Sequence, residues 1–256
     1  MSLTSDERRT VAKAYVDAAS GRVPVIIQVG HNSLAEAQQL ASHASEIGAD
    51  IVSATCPSYF KVNSIDGLVE SMSEVAAGAP DLPFYYYHIP VLTGSTLDMV
   101  EFLRVAAERI PNLAGLKYTE SRLDEFQRCI QFDAERYDVV WGVDEMLLGA
   151  LATGAKAAIG STYNIFAPLY LAMMEAFGRH DLEEAQRLQS LSIEIIKTIG
   201  QFPFHPAMKQ VLKILGFECG QCRLPQEKLS DDQLISLNRQ LQTLGLFEWT
   251  SMPVNK

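Results

Sequence analysis

Four stretches of the sequence hold residues whose types and spacing suit chemistry on a small polar substrate. The first is Asn112–Glu120, NLAGLKYTE, where an apolar run ends in Lys117 and continues through Tyr118, Thr119 and Glu120. Leu113, Ala114 and Leu116 read as a short buried strand. A lysine at the edge of an apolar core is costly unless something uses it. In water a lysine amine titrates near ~10.4, and desolvation lowers that value, leaving a neutral amine able to attack a carbonyl. The alternative is a lysine whose stem lies along apolar surface while its head reaches solvent.

The second stretch is Tyr85-Tyr86-Tyr87-His88-Ile89-Pro90. In a strand Tyr85 and Tyr87 share one face and Tyr86 takes the other. A tyrosine beside a lysine can pass a proton to and from a substrate oxygen. Core aromatics with satisfied hydroxyls are the competing reading. The third is Gly142-Val143-Asp144-Glu145, two carboxylates that follow a strand and open a helix. The helix dipole favours them there, and they can accept hydrogen bonds from the hydroxyls of a polyol. The fourth is Gly160-Ser161-Thr162-Tyr163-Asn164. Gly160 lets a ligand approach the backbone; otherwise this is a strand-to-helix loop with a hydroxyl cap. Cys219-Gly220-Gln221-Cys222 lacks the strand-then-helix context of a redox motif and reads as incidental. The five histidines are scattered without metal-ligand spacing, so no metal is expected.

These residues need a scaffold, and the hydrophobic pattern supplies one. Strands are predicted at Val23–Val29, Ile51–Thr55, Pro83–Ile89, Leu113–Tyr118, Val139–Val143 and Ala155–Ile159. Helices are predicted at Ser5–Ser20, from Ser33 to Gly48, and at Ser64–Ala77, Leu97–Arg109, Leu123–Phe132 and Met146–Thr153. Alternation of this kind makes βαβ units and a parallel sheet. No GxGxxG or P-loop motif follows a strand, which removes the usual nucleotide-binding support for an open sheet. His31, Tyr87, Lys117, Asp144 and Ser161 fall at successive C-terminal strand ends, the rim on which barrels carry their chemistry. From Pro168 onward only helices are expected: Leu169–Phe177, Leu182–Gly200, Pro206–Leu215 and Asp231–Leu244. The expected fold is an α/β (β/α)8 TIM barrel over residues 1–165, with the helices of 166–256 packed on it as one domain. About six strands are found where a whole barrel has eight, so the first two are expected to be missing.

Composition narrows the function. The chain has 256 residues, 48% of them apolar, and a net charge of −10. That balance argues against nucleic acid or an anionic membrane as a partner. No apolar run is long enough to span a bilayer. Four cysteines in a chain of this length suit a reducing cytoplasm.

Together YYYHIPVLTG at 85–94, GLKYTE at 115–120, WGVDE at 141–145 and IGSTYN at 159–164 resemble the N-acetylneuraminate lyases. These are sialic acid aldolases of the class I, pyruvate-dependent aldolase superfamily. The motifs fall in the family's order, and FYYYHIP with Arg223–Lys228 is closer to the vertebrate type than to the common bacterial form. The resemblance implies a barrel with a C-terminal helical extension, a homotetramer, and a carbon–carbon lyase that needs no cofactor. It implies that Lys117 forms a Schiff base with the pyruvate ketone and that Tyr87 moves the proton during cleavage. It places Thr119, Gly142, Asp144, Glu145 and Ser161 along the sugar chain, and Tyr59 near a subunit interface. The implied substrates are a sugar acid and pyruvate. Leu92 stands where dihydrodipicolinate synthases carry an arginine, which favours the lyase, since leucine gives no bidentate grip on a second carboxylate. The opening SLTSDERR matches the stretch just after the family's GTTGE-like loop, which binds the pyruvate carboxylate. The expectation is a chain without that clamp and weakly active or inactive. The alternatives are an impaired barrel that binds sugar acid or partners without turnover, and another pyruvate-dependent aldolase or synthase.

Overall fold

A computed structural model describes residues 2–250. In chain order the elements begin with α1 (Ser5–Ala19), β1 (Ile26–Gln28), α2 (Leu34–Glu46), β2 (Ile51–Ala54), α3 (Ile65–Ala76) and β3 (Phe84–His88). They continue with α4 (Pro90–Thr93), α5 (Met99–Arg109), β4 (Leu113–Tyr118), α6 (Leu123–Phe132) and β5 (Asp138–Trp141). A 3-10 turn, Asp144–Met146, then leads into α7 (Leu147–Ala152), α8 (Tyr163–Gly178), α9 (Leu182–Gly200), α10 (Phe204–Ile214) and α11 (Asp231–Thr243). Polar residues set the helix starts. Thr4 and Glu7 form a reciprocal capping box on α1, and Ser33, Ser64, Asp98 and Asp181 each accept a first-turn backbone N–H. Among the described residues no helix is long and apolar enough to cross a membrane.

The described residues form two compact units, one from residues 3–142 with 153–157, the other from 143–152 and 158 onward. The first holds a five-stranded parallel sheet in the order β1-β2-β3-β4-β5. Parallel neighbours in sequence order need a helical crossover between each pair, and α2, α3, α5 and α6 supply it. One layer of the core is aromatic. Tyr86, Phe102, Tyr118, Phe126 and Trp141 are fully buried, with Tyr86 4.8 Å from Phe102 and Phe126 4.8 Å from Trp141 between ring centroids. The second unit contains α7–α11. Its α8 is kinked: Phe166 leaves helical geometry at φ −129°, and Pro168 two residues on lacks an N–H to give.

Two expected strands change. Val23–Val29 contracts to Ile26–Gln28, because Pro24 cannot donate to a ladder and the Val25 N–H bonds the Asp50 carboxylate instead. Ala155–Ile159 does not form a strand; a single bridge remains at Ala158. Trp141 N–H does donate to Ala157 O at 3.1 Å. The segment follows Gly154 at φ +106° and is alanine-rich, and alanine has little preference for a pleated surface. The ladder between β3 and β4 is irregular. Phe84 pairs with Leu113, but the next pair is Tyr85 with Gly115, so Ala114 is an extra residue in β4.

Candidate active site

Lys117 and Tyr87 are register partners in β4 and β3. Neighbouring strands lie about 4.8 Å apart, so partners project to the same face. On β3 burial alternates, Phe84, Tyr86 and His88 fully enclosed and Tyr85 and Tyr87 half-buried. On β4 Lys117 is half-buried between enclosed Leu116 and Tyr118. The less enclosed face therefore carries Tyr85, Tyr87 and Lys117. Lys117 Nζ lies 4.0 Å from the centroid of the Tyr87 ring. That separation is a close cation–π distance, and it puts amine and phenol within reach of one small ligand.

The other face fixes the pair from behind. Tyr118 donates to Glu125 Oε2 at 2.5 Å, and Glu125 Oε1 accepts the Met99 N–H at 3.0 Å. Burial first, then the Glu125 bond and charge, pushes the Tyr118 phenol far above its usual range. The His88 ring packs on Tyr118 with centroids 5.3 Å apart. Burial, with Arg122 adding, lowers that imidazole to about 4.

Gly115 and Gly142 are there for space. A Cβ at Gly115 would lie 2.3 Å from the Tyr85 ring, whose hydroxyl donates to Asp138 Oδ2 at 3.1 Å. Burial and that carboxylate push the Tyr85 phenol up to about 12. A Cβ at Gly142 would meet Thr119 Oγ1 at 2.1 Å. Thr119 itself is anchored by its N–H donating to His88 O at 2.9 Å, while its Oγ1 is buried with no hydrogen-bond partner. A buried hydroxyl left unsatisfied is costly, which suits a group reserved for a ligand. Lys117, Tyr87, Thr119 and Gly142 are thus brought together in the first unit.

Asp144, Glu145 and Ser161 belong to the second unit. Asp144 is 6% exposed. Its Oδ2 accepts the Thr162 N–H at 2.9 Å and a very short bond from the Thr162 hydroxyl. Thr162 Oγ1 in turn lies 2.7 Å from the Tyr170 hydroxyl. Gly160 is the third partner in this arrangement, because a Cβ there would fall 1.6 Å from Asp144 Oδ1. Burial, then the Asp144 charge, pushes the Tyr163 phenol well above its usual range. Ser161 and Glu145 are exposed, and the Ser161 carbonyl accepts from Asn164 Nδ2 at 2.9 Å.

His31, expected on the rim, secures a turn: its Nδ1 accepts the Ser33 N–H at 3.0 Å. Tyr59 is 77% exposed with Phe60 packed edge-on at 5.0 Å. Thr162 is an addition that the sequence reading did not single out. Thr162 sits inside the IGSTYN motif, and that was the available signal.

The model of the dihydrodipicolinate synthetase family matches residues 1–244. The N-acetylneuraminate lyase of Xenopus tropicalis is 44% identical over 228 residues, covering 88% of this chain and 74% of its own length. That of Homo sapiens is 38% identical over 256 residues, covering 98% and 80%. Among solved structures, the N-acetylneuraminate lyase of Proteus mirabilis matches with a TM-score of 0.92 at 35% identity, over 95% of this chain and 82% of that one. The sialic acid aldolase of Aliivibrio salmonicida matches with a TM-score of 0.92 at 36% identity, over 95% and 81%. At that likeness the fold class is the (β/α)8 barrel, with the parallel sheet and C-terminal helices described above. A family model matched along nearly the whole chain, and relatives well above 30% identity, make this chain a member of the dihydrodipicolinate synthetase family.

Proposed function

We propose that the chain is a class I aldolase, a carbon–carbon lyase that cleaves N-acetylneuraminate to N-acetylmannosamine and pyruvate. The observation that carries this reading is the Lys117–Tyr87 pair, in register on adjacent strands with Nζ 4.0 Å from the phenol ring. The lysine amine adds to the C2 ketone of the open-chain sugar acid, and loss of water gives an iminium. That iminium is the electron sink, so the chemistry asks for no separate electrophile. The Tyr87 phenol system removes the proton of the C4 hydroxyl as the C3–C4 bond breaks. Its electrons enter the enamine, N-acetylmannosamine departs, C3 is reprotonated, and hydrolysis frees pyruvate and the lysine.

Thr119 and Gly142 supply a hydroxyl and a close backbone approach for the sugar chain. The motif match assigns Asp144, Glu145 and Ser161 to the same chain. Thr162 holds Asp144 through Oδ2, which fixes the orientation of the carboxylate. A homotetramer and a cytoplasmic location belong to the same reading and follow from the family resemblance alone. Borohydride added with pyruvate tests it. The expected result is a single covalent adduct on Lys117, located by peptide mass, that Lys117→Ala abolishes. No adduct, or one on another lysine, refutes the assignment.

A further inference from the structure

Asp144 belongs to a ring of buried polar side chains that the mechanism leaves without a task. Thr162 gives the carboxylate its N–H at 2.9 Å and its hydroxyl proton. Thr162 Oγ1 also lies 2.7 Å from the Tyr170 hydroxyl, and Tyr170 is bonded in turn to Ser192 of α9. Ser192 Oγ accepts from Gln189 Nε2 at 2.8 Å, and the same amide nitrogen reaches Asp144 O at 3.4 Å. The path leaves Asp144 through its carboxylate and returns through its carbonyl. Gln189 Oε1 accepts the Leu148 N–H at 2.8 Å as well, so one amide spans the turn that carries Asp144.

None of the five residues is more than 8% exposed, and all belong to the second unit. Buried polar side chains cost stability unless every one is partnered. Apolar contact between α8 and α9 does not require them, since Leu169, Met173, Leu188 and Ile195 are fully buried on the same two helices. What a closed polar network adds is a single arrangement of its members. Here the member with a free chemical use is a carboxylate. An acceptor already held in place loses little rotamer freedom when a ligand hydroxyl arrives.

We infer that Thr162, Tyr170, Ser192 and Gln189 are positioning residues for the sugar chain: acting through Asp144, they set affinity for the polyhydroxyl part of the substrate and leave the keto acid part untouched. The inference rests on the aldolase reading, which assigns Asp144 to that chain. It gives α9, which supplies no residue to the chemistry, a part in choosing the substrate.

Borohydride trapping on the full chain tests it, with pyruvate, which has no sugar chain, and with N-acetylneuraminate, which has one. Thr162→Val removes the hydroxyl and keeps the branched shape, Tyr170→Phe keeps the ring, and Thr162→Ser keeps the hydroxyl. Thr162→Val is expected to raise the half-saturating concentration of N-acetylneuraminate about 10-fold or more, and Tyr170→Phe about 3- to 10-fold. Pyruvate is expected to change less than about twofold, and Thr162→Ser to stay within about threefold of wild type for both acids. In an Asp144→Asn background Tyr170→Phe is expected to add less than about twofold, because the group it positions is gone. A parallel rise for pyruvate makes the ring a support of the fold and overturns the inference. So does an unchanged N-acetylneuraminate value in both Thr162→Val and Tyr170→Phe, or a full further loss in the Asp144→Asn background. A wild-type chain that does not trap N-acetylneuraminate on Lys117 refutes the aldolase reading itself, and this assignment falls with it.

Discussion

The Tyr118 hydroxyl donates a 2.5 Å hydrogen bond to the Glu125 carboxylate, and Glu125 is only 2% exposed. This bond ties the enclosed face of β4 to α6. Tyr118→Phe removes the donor and leaves a buried carboxylate with the Met99 N–H and Arg122, 3.6 Å away, as its remaining support. The expected cost is about 2–3 kcal/mol, a drop in Tm on the order of 5–10 °C for a chain of this size. Thermal melts read it. A variant as stable as wild type would show that the carboxylate is satisfied without the phenol.

Tyr87→Phe separates binding from proton transfer. Lys117 keeps its amine and its neighbouring ring, so borohydride trapping with pyruvate is expected to persist. Cleavage of N-acetylneuraminate is expected to slow about 10²- to 10⁴-fold in kcat, the usual worth of a positioned acid–base group. Unchanged kcat removes Tyr87 from the chemistry.

Gly160→Ala drives a methyl group into the Asp144 carboxylate, 1.6 Å from Oδ1. Either the carboxylate breaks its bonds to Thr162 or the backbone moves. A destabilisation of about 1–3 kcal/mol is expected, the usual cost of overpacking. Gly178→Ala is the control, since a Cβ there meets nothing within 4 Å. It sits at the end of α8 and is expected to be neutral or stabilising by up to about 1 kcal/mol. Equal behaviour of the two variants in urea titration would refute the contact.

His88 makes stability depend on pH in a defined window. The folded imidazole takes its proton near 4 rather than 6.5, because it is buried and lies near Arg122. The unfolded chain therefore binds the extra proton between those values. Stability from this group is complete above 6.5 and is lost as pH falls toward 4, at up to about 1.4 kcal/mol per pH unit. Denaturant titrations at pH 4.5 and 7 read the slope. His88→Gln, which cannot protonate, is expected to flatten it by about one proton. An unaltered slope assigns the effect to other groups.

The strand Leu113–Tyr118 and the helices Leu123–Phe132 and Leu182–Gly200 were legible to the residue. Each has a clean period and a clear terminator. Pro90 follows the end of β3 and opens α4, since proline fits the first helical position, whose N–H has no partner to lose. Lys117 and Tyr87 were legible because a period of two shows which residues share a face. Their being opposite one another was not, since register is a relation between strands. The grip of Thr162 on Asp144 joins residues 18 apart, beyond any local pattern.

The surplus residue Ala114 sets the phase of β4 against β3. Continued without it, the ladder from Phe84 and Leu113 would bring Lys117 opposite His88 and leave Leu116 facing Tyr87. One inserted position thus moves the amine from a histidine in the aromatic core to the phenol on the open side. The segment upstream of Gly115 and the reactive end are out of step by a single count. Removing Ala114 should shift Leu113 and spare the lysine, whereas adding one residue after Gly115 should silence the enzyme without altering any side chain that takes part in the reaction.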